Sequence, residues 1–375
     1  MIQCQIIRFI RLTELTKPMN NNTTHNNFHS FWQKVIHFTL PYLTGLYAGG
    51  LLGWAALNTL YPDRRWWLYL INSFAIYLFL PLLVLPFYAI SRRSFKVWAS
   101  LVVVFGLWVY YFGGTFLPKQ VFASDQTEGS SIRVMTYNVL ASNRQYDEII
   151  NALRKSDVDL IAIQELNPEL AQYLKSELEE YPYQILQPKW SAAGIGIISR
   201  YPIQKAAAPS SDRFWRNDAL IVELTLDNTT FTVINFHTIS PGSISNTDYL
   251  KKSASEREKQ SRMIAEYVRN TSQPIIALGD LNSSGQSLAY RIVNAALTDA
   301  WRTSGWGIGH TFPGGSTPGN SRPSFGGVSV PPWLTRIDYI FYSDDWQANR
   351  AWLAPWDGYS DHRPVAAQLT LKTAP

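Results

Sequence analysis

The chain is almost free of cysteine. Its 375 residues include one, Cys4, so no disulfide can form within the chain and cysteine gives no indication of the redox compartment. Three long stretches near the N-terminus also lack charge, since they contain no Asp, Glu, Lys or Arg. These stretches are rich in Leu, Trp, Tyr, Phe and Val, and they lie between Lys34 and Asp63, between Arg65 and Arg92, and between Lys96 and Lys119.

Each charge-free stretch exceeds the roughly 20 apolar residues that a helix needs to cross a bilayer. We therefore predict three transmembrane helices, near 39–61, 66–90 and 97–118, in a membrane region of residues 38–119. Buried helices of a soluble domain are the alternative, but three consecutive stretches of this length argue against it. A signal peptide agrees less well, because the first stretch starts late and two more follow it.

The positive charges that flank these stretches predict the topology of the chain, because Lys and Arg in short loops favour the cytoplasmic side. One side carries Lys17, Lys34, Arg92, Arg93 and Lys96, and the other carries Arg64, Arg65 and Lys119. The N-terminus and the second loop are then cytoplasmic. Three spans place the C-terminal part outside the cytoplasm, so we expect an integral protein of the plasma or inner membrane whose large C-terminal domain is extracytoplasmic.

The C-terminal part carries almost no net charge. Residues 1–130 contain 10 Lys and Arg against 4 Asp and Glu, whereas residues 131–375 contain 23 against 24. The isoelectric point of about 9.1 therefore reflects the membrane region and is not by itself a sign of nucleic-acid binding. A local basic patch in the C-terminal part remains an alternative. One basic cluster on a predicted helix is interleaved with acidic residues, which favours a solvated helix face; it comprises Lys251, Lys252, Arg257, Lys259 and Arg262.

The rest of the chain divides into a terminal segment, a linker and one large domain. Residues 1–37 include an Asn-rich stretch at 20–27 and are predicted to be disordered, and the small polar residues of 120–131 suit a linker. From 132 to 371, predicted strands alternate with predicted helices. Asp227 and Asn228 form a two-residue loop that is typical of an antiparallel hairpin, so we expect mixed sheets. The Gly- and Pro-rich segment 303–334 is expected to be a loop that faces substrate.

Polar side chains follow the predicted strands where those strands end. The strands at 132–137, 158–163, 231–236 and 274–278 are rich in Val and Ile, as buried strands are. Loops at strand ends are where α/β proteins usually carry their chemistry. The polar residues concerned are Asn138, Glu165, His237, Asp280 with Asn282, and Asp361 with His362.

These residue types suit the hydrolysis of a phosphate ester, which needs charge neutralisation, an activated water and a proton for the leaving oxygen. Glu165 is the kind of ligand that Mg²⁺ takes. Asp280 and Asn282 are two apart, so an extended segment points both to one face, where they can hold and deprotonate water. Each residue alone has a plainer interpretation: a salt bridge or cap for Glu165, a turn for Asn138 and a structural role for His237.

Taken together and in this order, the motifs resemble the endonuclease/exonuclease/phosphatase superfamily, also called DNase I-like. The resemblance covers roughly residues 132–371 and implies a four-layered α/β sandwich with two facing mixed β-sheets, preceded here by the three transmembrane helices. It also implies a phosphoesterase that depends on Mg²⁺, with Mn²⁺ as a substitute. The motifs are Thr136-Tyr-Asn-Val139, Gln164-Glu165, Asn235-Phe-His237, Gly279-Asp-Leu-Asn282, Arg336-Ile-Asp-Tyr339 and Ser360-Asp-His362.

The resemblance further implies roles for the acidic and amide residues. Glu165 is similar to the metal ligand of the family, assisted by Asn138 and Asp361. Asp280 and Asn282 are similar to the pair that positions and activates the attacking water.

The two histidines and one further aspartate complete the implied site. His362 resembles the imidazole that binds the scissile phosphate, and Asp338 would orient it and favour its charged form. His237 resembles the second histidine of DNase I-like and sphingomyelinase-like members, which serves the leaving group. Which imidazole acts as the acid stays open.

Departures from subfamily patterns narrow the substrate. Abasic-site endonucleases carry Tyr where this chain has His237. Inositol polyphosphate 5-phosphatases have an Arg after the Gly-Asp-x-Asn motif and an Asp later, where this chain has Ser283, Ser284 and Thr335. Neither activity is indicated.

We therefore expect a membrane-anchored phosphodiesterase that acts on nucleic acid or a phospholipid-type headgroup. A phosphomonoesterase acting on a lipid or sugar phosphate is one alternative. A non-catalytic membrane receptor on the same fold is another, but no catalytic group is missing. No protein partner is predicted.

Overall fold

The computed structural model describes residues 21–63, 65–117, 129–242, 246–314, 322, 324–325 and 327–372. Its N-terminal part is a helical region. This region consists of α1 (Asn21–Leu60), α2 (Trp66–Ser73), a 3-10 helix (Ala75–Leu83), α3 (Leu85–Arg92) and α4 (Phe95–Phe116).

Over the described residues, α4 is one helix long and apolar enough to cross a membrane. Trp66–Ser73 and Ala75–Ser91 meet this criterion only as a pair bent by 50°, so the number of candidate spans is one, or at most two. The prediction of three transmembrane helices is therefore not confirmed. In the first predicted span, Gly49 and Gly50 together with Thr and Asn lower the apolar content of α1.

Two of the predicted segments lie only partly within the described residues. Of the segment predicted to be disordered, residues 21–37 belong to α1, whereas residues 1–20 lie outside the described residues. Most of the predicted linker also lies outside them. The catalytic segment begins with a strand at Ser131, one residue before the predicted start of the domain.

The C-terminal part contains two six-stranded mixed sheets. The first has the strand order β13-β14-β1-β2-β4-β3, and the second has β5-β6-β7-β8-β12-β9. The pairs β1/β2 and β7/β8 are parallel, and the other pairs are antiparallel. The strands are β1 (Ser131–Asn138), β2 (Leu160–Gln164), β3 (Tyr183–Gln187), β4 (Ile195–Ser199), β5 (Ile203–Lys205), β6 (Ala219–Leu226), β7 (Thr229–His237), β8 (Ile275–Asp280), β9 (Thr298–Asp299), β10 (Ser324–Phe325), β11 (Val328–Ser329), β12 (Asp338–Tyr342), β13 (Trp346–Leu353) and β14 (Val365–Leu371), of which β10 and β11 form a separate two-stranded sheet.

The two sheets face each other across an apolar core, and helices cover their outer faces. Val134 and Leu160 of the first sheet belong to the same buried cluster as Val233 and Leu278 of the second. Burial of each such side chain contributes about 1.5–3 kcal/mol. The helices are α5 (Tyr146–Ser156) and α6 (Pro168–Glu177) on the first sheet, α7 (Thr247–Arg269) and α8 (Leu288–Asn294) on the second, and the short α9 (Ala300–Ser304).

This arrangement confirms the α/β sandwich with two mixed sheets that the motifs implied. The Val- and Ile-rich runs predicted strands at 158–163 and 274–278, and these are observed as β2 and β8 within two residues of the predicted bounds. The Asp227-Asn228 hairpin is also confirmed: the two residues have φ of 45° and 69°, as a type I′ turn requires. The edge strand β13 was not predicted, because Gln, Asn and Arg interrupt its apolar pattern.

A buried polar bridge joins the facing sheets. Gln164 Nε2 on β2 donates to Asn235 Oδ1 on β7 at 2.7 Å, and Thr136 Oγ1 donates to Gln164 Oε1 at 3.1 Å. Asn235 Nδ2 donates back across the interface to the carbonyl oxygens of Ile163 at 3.0 Å and Gly196 at 2.8 Å. Because Thr136, Gln164 and Asn235 are fully buried, these groups have no water to replace a lost bond. The bridge therefore fixes how one sheet lies over the other.

We expect Asn235→Ala to lower the free energy of unfolding by about 2–4 kcal/mol, because it removes three buried hydrogen bonds: the one from Gln164 Nε2 and the two to the carbonyl oxygens of Ile163 and Gly196. Asn349→Ala is the matched control, since Asn349 accepts one hydrogen bond from Thr370 on the partly exposed edge of the first sheet. Denaturant unfolding of the detergent-purified chain measures both. Equal losses for the two variants would contradict a special role for the bridge.

Candidate functional site

Four of the predicted site residues lie where parallel strands end. Asn138 is the last residue of β1, and Glu165 directly follows β2. His237 and Asp280 are the last residues of β7 and β8, and they are register partners. Because parallel strands end at the same edge of a sheet, both sheets present these residues at one edge of the sandwich.

The remaining residues reach the same edge from antiparallel strands. Asp338 is the first residue of β12 and stands opposite Asp280. Asp361 and His362 lie just before β14, which runs antiparallel to β1. Asn282 follows β8 by two residues. The structure thus brings all eight predicted residues to one edge.

Unusual backbone geometry turns the chain at two of these positions. Glu165 has φ of 60° and Asn282 has φ of 48°, in the left-handed region that residues with a Cβ atom rarely adopt. No residue with a Cβ atom can replace Gly279, because the Cβ would lie 1.8 Å from the carbonyl oxygen of Phe236. The glycine allows β7 and β8 to approach each other directly below Asp280.

Asp280 is the centre of the site. Its Oδ2 accepts from Asn138 Nδ2 at 3.1 Å and lies 3.4 Å from His237 Nε2 and 3.8 Å from His362 Nε2. Its Oδ1 accepts from the backbone N–H of Asn282 at 2.8 Å. Burial would raise the pKa of this carboxyl group, but the charges of His362 and His237 hold the pKa below its usual value. Asp280 is therefore an ionised acceptor between two imidazoles.

His237 is fixed in one orientation. Its Nδ1 donates to the carbonyl oxygen of Ala192 at 2.9 Å, which leaves Nε2 facing Asp280 and, at 4.0 Å, Glu165 Oε1. Burial acts against the charged imidazole, but the hydrogen bond and charge of Asp280 raise the pKa of His237 to about 9. The ring can therefore carry a proton at neutral pH.

His362 forms a buried pair with Asp338. The distance from His362 Nδ1 to Asp338 Oδ2 is 2.9 Å, and the ring of Phe312 covers the imidazole at 5.0 Å between centroids. Burial alone would lower the pKa of His362, but the carboxylates of Asp338 and Asp280 hold it well above its usual value. Burial also raises the pKa of Asp338. The sequence-based interpretation, in which Asp338 orients His362, agrees with this geometry.

Glu165 and Asp361 are carboxyl groups at the more open side of the site. Glu165 Oε2 accepts from the backbone N–H of Ala141 at 2.9 Å, and Oε1 accepts from Asn138 Nδ2 at 3.2 Å. Its side chain is 16% exposed, whereas that of Asp280 is 1% exposed. Burial raises the pKa of Asp361, and the nearby charge of Glu165 raises it further.

The charges of the site suit a divalent cation. Four carboxyl groups, those of Glu165, Asp280, Asp338 and Asp361, face the imidazoles of His237 and His362. The carboxyl groups outnumber the imidazoles four to two, which favours a bound cation. Hard oxygen donors of this kind are the ligands that Mg²⁺ prefers.

Two groups of residues could hold that cation. The closest ligand atoms among the described residues are those of Asp280, Asp338 and His362, which all lie within 4.8 Å of one another. A histidine must be unprotonated to bind a metal ion, however, and the pKa of His362 is held high by Asp338. Glu165 and Asp361 have no such pairing with a histidine nitrogen at hydrogen-bonding distance, so they fit the cation better.

Several supporting residues were not singled out from the sequence. Ser360 Oγ donates to the carbonyl oxygen of Asn138 at 2.7 Å and accepts from the backbone N–H of His362 at 3.1 Å, so it ties the last loop to β1. Asn143 Nδ2 donates to Asp357 Oδ2 at 2.7 Å in the layer below. Ser360 lies within a motif that was recognised, but Asn143 and Asp357 stand 214 positions apart, and nothing in the local sequence pairs them.

The motif residue Arg336 has a structural contact rather than a place in the cluster. Its guanidinium forms a buried ion pair with Asp299 at 2.7 Å and lies over the ring of Tyr339 at 4.4 Å. The described part of the loop 303–334 closes over His362: besides Phe312, Thr311 Oγ1 accepts from the backbone N–H of Asp338 at 3.4 Å. Residues 315–321, 323 and 326 of this loop lie outside the described residues.

Comparison with known proteins gives one family match. The model of the Endonuclease/Exonuclease/phosphatase family matches residues 135–362. Comparison with curated proteins gives no match.

Several solved structures are similar to the chain. The chain is similar to an endonuclease/exonuclease/phosphatase family protein from Bacteroides thetaiotaomicron, with a TM-score of 0.50 and 17% identity over 66% of this chain and 97% of that chain. It is also similar to a functionally unknown conserved protein from Enterococcus faecalis V583, with a TM-score of 0.49 and 20% identity over 64% and 100% of the two chains. A structure of D. rerio TDP2 complexed with single strand DNA product has a TM-score of 0.49 and 20% identity over 64% and 99%.

We expect Asp338→Asn to lower the pKa of His362, because the change removes the carboxylate that most favours the charged imidazole. The NMR titration of the metal-free protein measures this shift. Loss of the oriented, charged ring should also lower kcat by roughly 10²- to 10⁴-fold. Asp345→Asn, a change near the opposite end of the second sheet, is the control, and an unchanged His362 titration in Asp338→Asn would contradict the pairing.

Proposed function

The chain belongs to the Endonuclease/Exonuclease/phosphatase family, whose members are metal-dependent phosphoester hydrolases, and we propose that it is a membrane-anchored, Mg²⁺-dependent phosphodiesterase. One observation carries the proposal. Asp280 lies within 3.8 Å of the Nε2 atoms of both His237 and His362, and Asn138 links it to Glu165. A base, two proton donors and a cation site thus meet at one point.

The metal ligands in this proposal are Glu165 and Asp361, with Asn138 assisting. Asn138 Nδ2 donates to both Glu165 and Asp280, so it holds the cation side and the water side of the site at a fixed separation. A divalent cation bound there neutralises charge on the phosphoryl oxygens and orients the ester.

Asp280 and Asn282 act on the attacking water. Asp280 is ionised and its Oδ1 is held by the Asn282 backbone, while Asn282 Nδ2 donates to the carbonyl oxygen of Thr238 at 2.9 Å and to Asp280 Oδ2 at 3.3 Å. The two hydrogen bonds from Nδ2 and the one from the backbone N–H therefore hold Asn282 at its strained φ of 48°. In this rigid pair, the carboxylate of Asp280 can accept the proton of a water whose oxygen attacks phosphorus.

The two imidazoles act on the phosphate and the leaving group. His362, held charged by Asp338, is placed to bind a phosphoryl oxygen. The pKa of His237 is raised to about 9, and the hydrogen bond from Nδ1 to Ala192 fixes the direction of Nε2. This nitrogen can therefore deliver a proton to the leaving oxygen.

The charge of the site supports a diester as substrate. A phosphomonoester dianion would bring two negative charges next to four carboxyl groups, whereas a diester brings one. Nucleic acid and phospholipid-type headgroups are both diesters.

Membrane anchoring is part of the proposal. The apolar helix α4 supports it, together with the basic residues Arg92, Arg93 and Lys96 at the N-terminal end of that helix. On the positive-inside bias, this end is cytoplasmic and the catalytic domain is outside the cytoplasm.

We expect the full chain in detergent to hydrolyse bis(p-nitrophenyl) phosphate with Mg²⁺ or Mn²⁺ and to lose this activity in EDTA. Glu165→Gln should need a higher Mg²⁺ concentration for half-maximal rate, because a ligand charge is lost. Asp280→Asn should lower kcat roughly 10²- to 10⁴-fold at every Mg²⁺ concentration, because the proton acceptor is lost. Glu169→Gln, an exposed change on α6, is the control. Turnover that persists in EDTA would contradict the proposal.

A further inference from the structure

Besides helices α7 and α8, the helical region contacts three loops of the catalytic domain, two of which lie within four residues of a site residue. Ser284 Oγ, two residues after Asn282, donates to the carbonyl oxygen of Asn72 at 3.0 Å. Tyr77 Oη donates to the carbonyl oxygen of Leu334 at 3.0 Å, four residues before Asp338. In the third loop, Gly307 and Thr115 are joined by a backbone hydrogen bond of 2.9 Å.

Asp63 makes the first of these contacts specific. Its Oδ2 accepts from the backbone N–H of Leu288 at 2.7 Å, at the start of α8, and its Oδ1 accepts from Asn72 Nδ2 at 2.9 Å. A carboxylate in this position satisfies a free backbone N–H and suits the helix dipole. Asp63 is the only acidic residue between positions 14 and 125, so the one acidic group of the apolar part is used to hold the catalytic domain.

The contact points also define which end of the helices carries the catalytic domain. Thr115 lies at the C-terminal end of α4, whereas Arg92, Arg93 and Lys96 lie at its N-terminal end. The 22 residues of α4 rise about 33 Å, close to the thickness of a bilayer core. The active-site edge therefore lies at the far membrane surface from the basic loop.

Exposed apolar side chains lie next to this end of α4 and at the start of α2. Trp306 is 73% exposed and Ile308 is 37% exposed, and they flank Gly307, which contacts Thr115. Trp66 and Trp67 at the start of α2 are 38% and 39% exposed. Tryptophan at the end of an apolar helix is typical of the headgroup layer. The surface next to the catalytic edge is thus suited to lipid and is continuous with the candidate membrane span.

From this placement we infer that the active site works at the membrane surface and that its substrate is the phosphodiester headgroup of a membrane amphiphile. The inference rests on the proposed function. Water oxygen forms a bond to phosphorus, the P–O bond to one alcohol breaks, and that alcohol leaves with a proton. No reactant besides water and the ester is needed. A long nucleic acid would instead have to approach an edge that the helices already cover on one side.

The test uses the full chain reconstituted in vesicles of phosphatidylcholine, phosphatidylethanolamine and phosphatidylglycerol, with Mg²⁺. Release of headgroup products is followed by mass spectrometry. Bis(p-nitrophenyl) phosphate and a single-stranded DNA oligonucleotide are assayed in the same vesicles as soluble diesters. We expect hydrolysis of vesicle lipid to exceed that of the oligonucleotide.

Two variants test the surface itself. Trp306→Ser and Ile308→Ser should each lower lipid hydrolysis by about tenfold, the change that loss of one buried apolar side chain produces. Hydrolysis of bis(p-nitrophenyl) phosphate should stay within about twofold, as for an ordinary surface change. Tyr183→Ser is the matched control, because Tyr183 is 40% exposed at the opposite edge of the first sheet.

The outcomes distinguish a failure of this inference from a failure of the proposed function. Hydrolysis of both soluble diesters without hydrolysis of lipid would overturn this inference and leave the phosphodiesterase standing. An equal loss on lipid and on bis(p-nitrophenyl) phosphate in Trp306→Ser would also overturn it, since the tryptophan would then act on the site rather than on the surface. No hydrolysis of any substrate would overturn the proposed function itself.

Discussion

The hydrogen bond between Gln164 and Asn235 is the contact on which the rest of the site depends. It joins two sheets whose interface behind the site is mostly apolar, and apolar contacts alone permit sliding. Glu165 follows Gln164 directly, and His237 lies two residues beyond Asn235 on the same face of β7. A shift of one sheet would therefore separate the cation side of the site from the imidazole that serves the leaving group.

Much of this site could be predicted from the sequence, because its residues lie directly beside strand ends that the apolar pattern marks. Asp280 and His237 are examples: each ends a buried strand, and the parallel pairing of β7 with β8 then makes them neighbours. The pairing of Asn143 with Asp357 could not be predicted, since it depends on how distant loops pack. The edge strand β13 was also not predicted. Its Gln, Asn and Arg residues interrupt the apolar pattern, and such residues are common in a strand only when it lies at the edge of a sheet.

The helical region shows where sequence patterns are least informative. The charge-free stretches indicated three spans, yet over the described residues only α4 is by itself long and apolar enough, while the second stretch bends by 50°. The bend brings Asn72 and Tyr77 towards the catalytic domain, where they satisfy Ser284 and Leu334. Composition does not reveal such contacts, because it counts apolar residues without regard to which of them face another domain. The position of Asp63 is similar: as a loop residue it is unremarkable, but in the fold it joins the two parts of the chain.

The central claim is that the carboxyl groups at this edge form one cation site centred on Glu165 and Asp361, with His362 kept for the phosphate by Asp338. Anomalous scattering from crystals soaked in Mn²⁺ tests this claim most directly. We expect one peak between Glu165 and Asp361 that is lost in Glu165→Gln. A peak bound by Asp338 and His362 instead, or none at this edge, would contradict it.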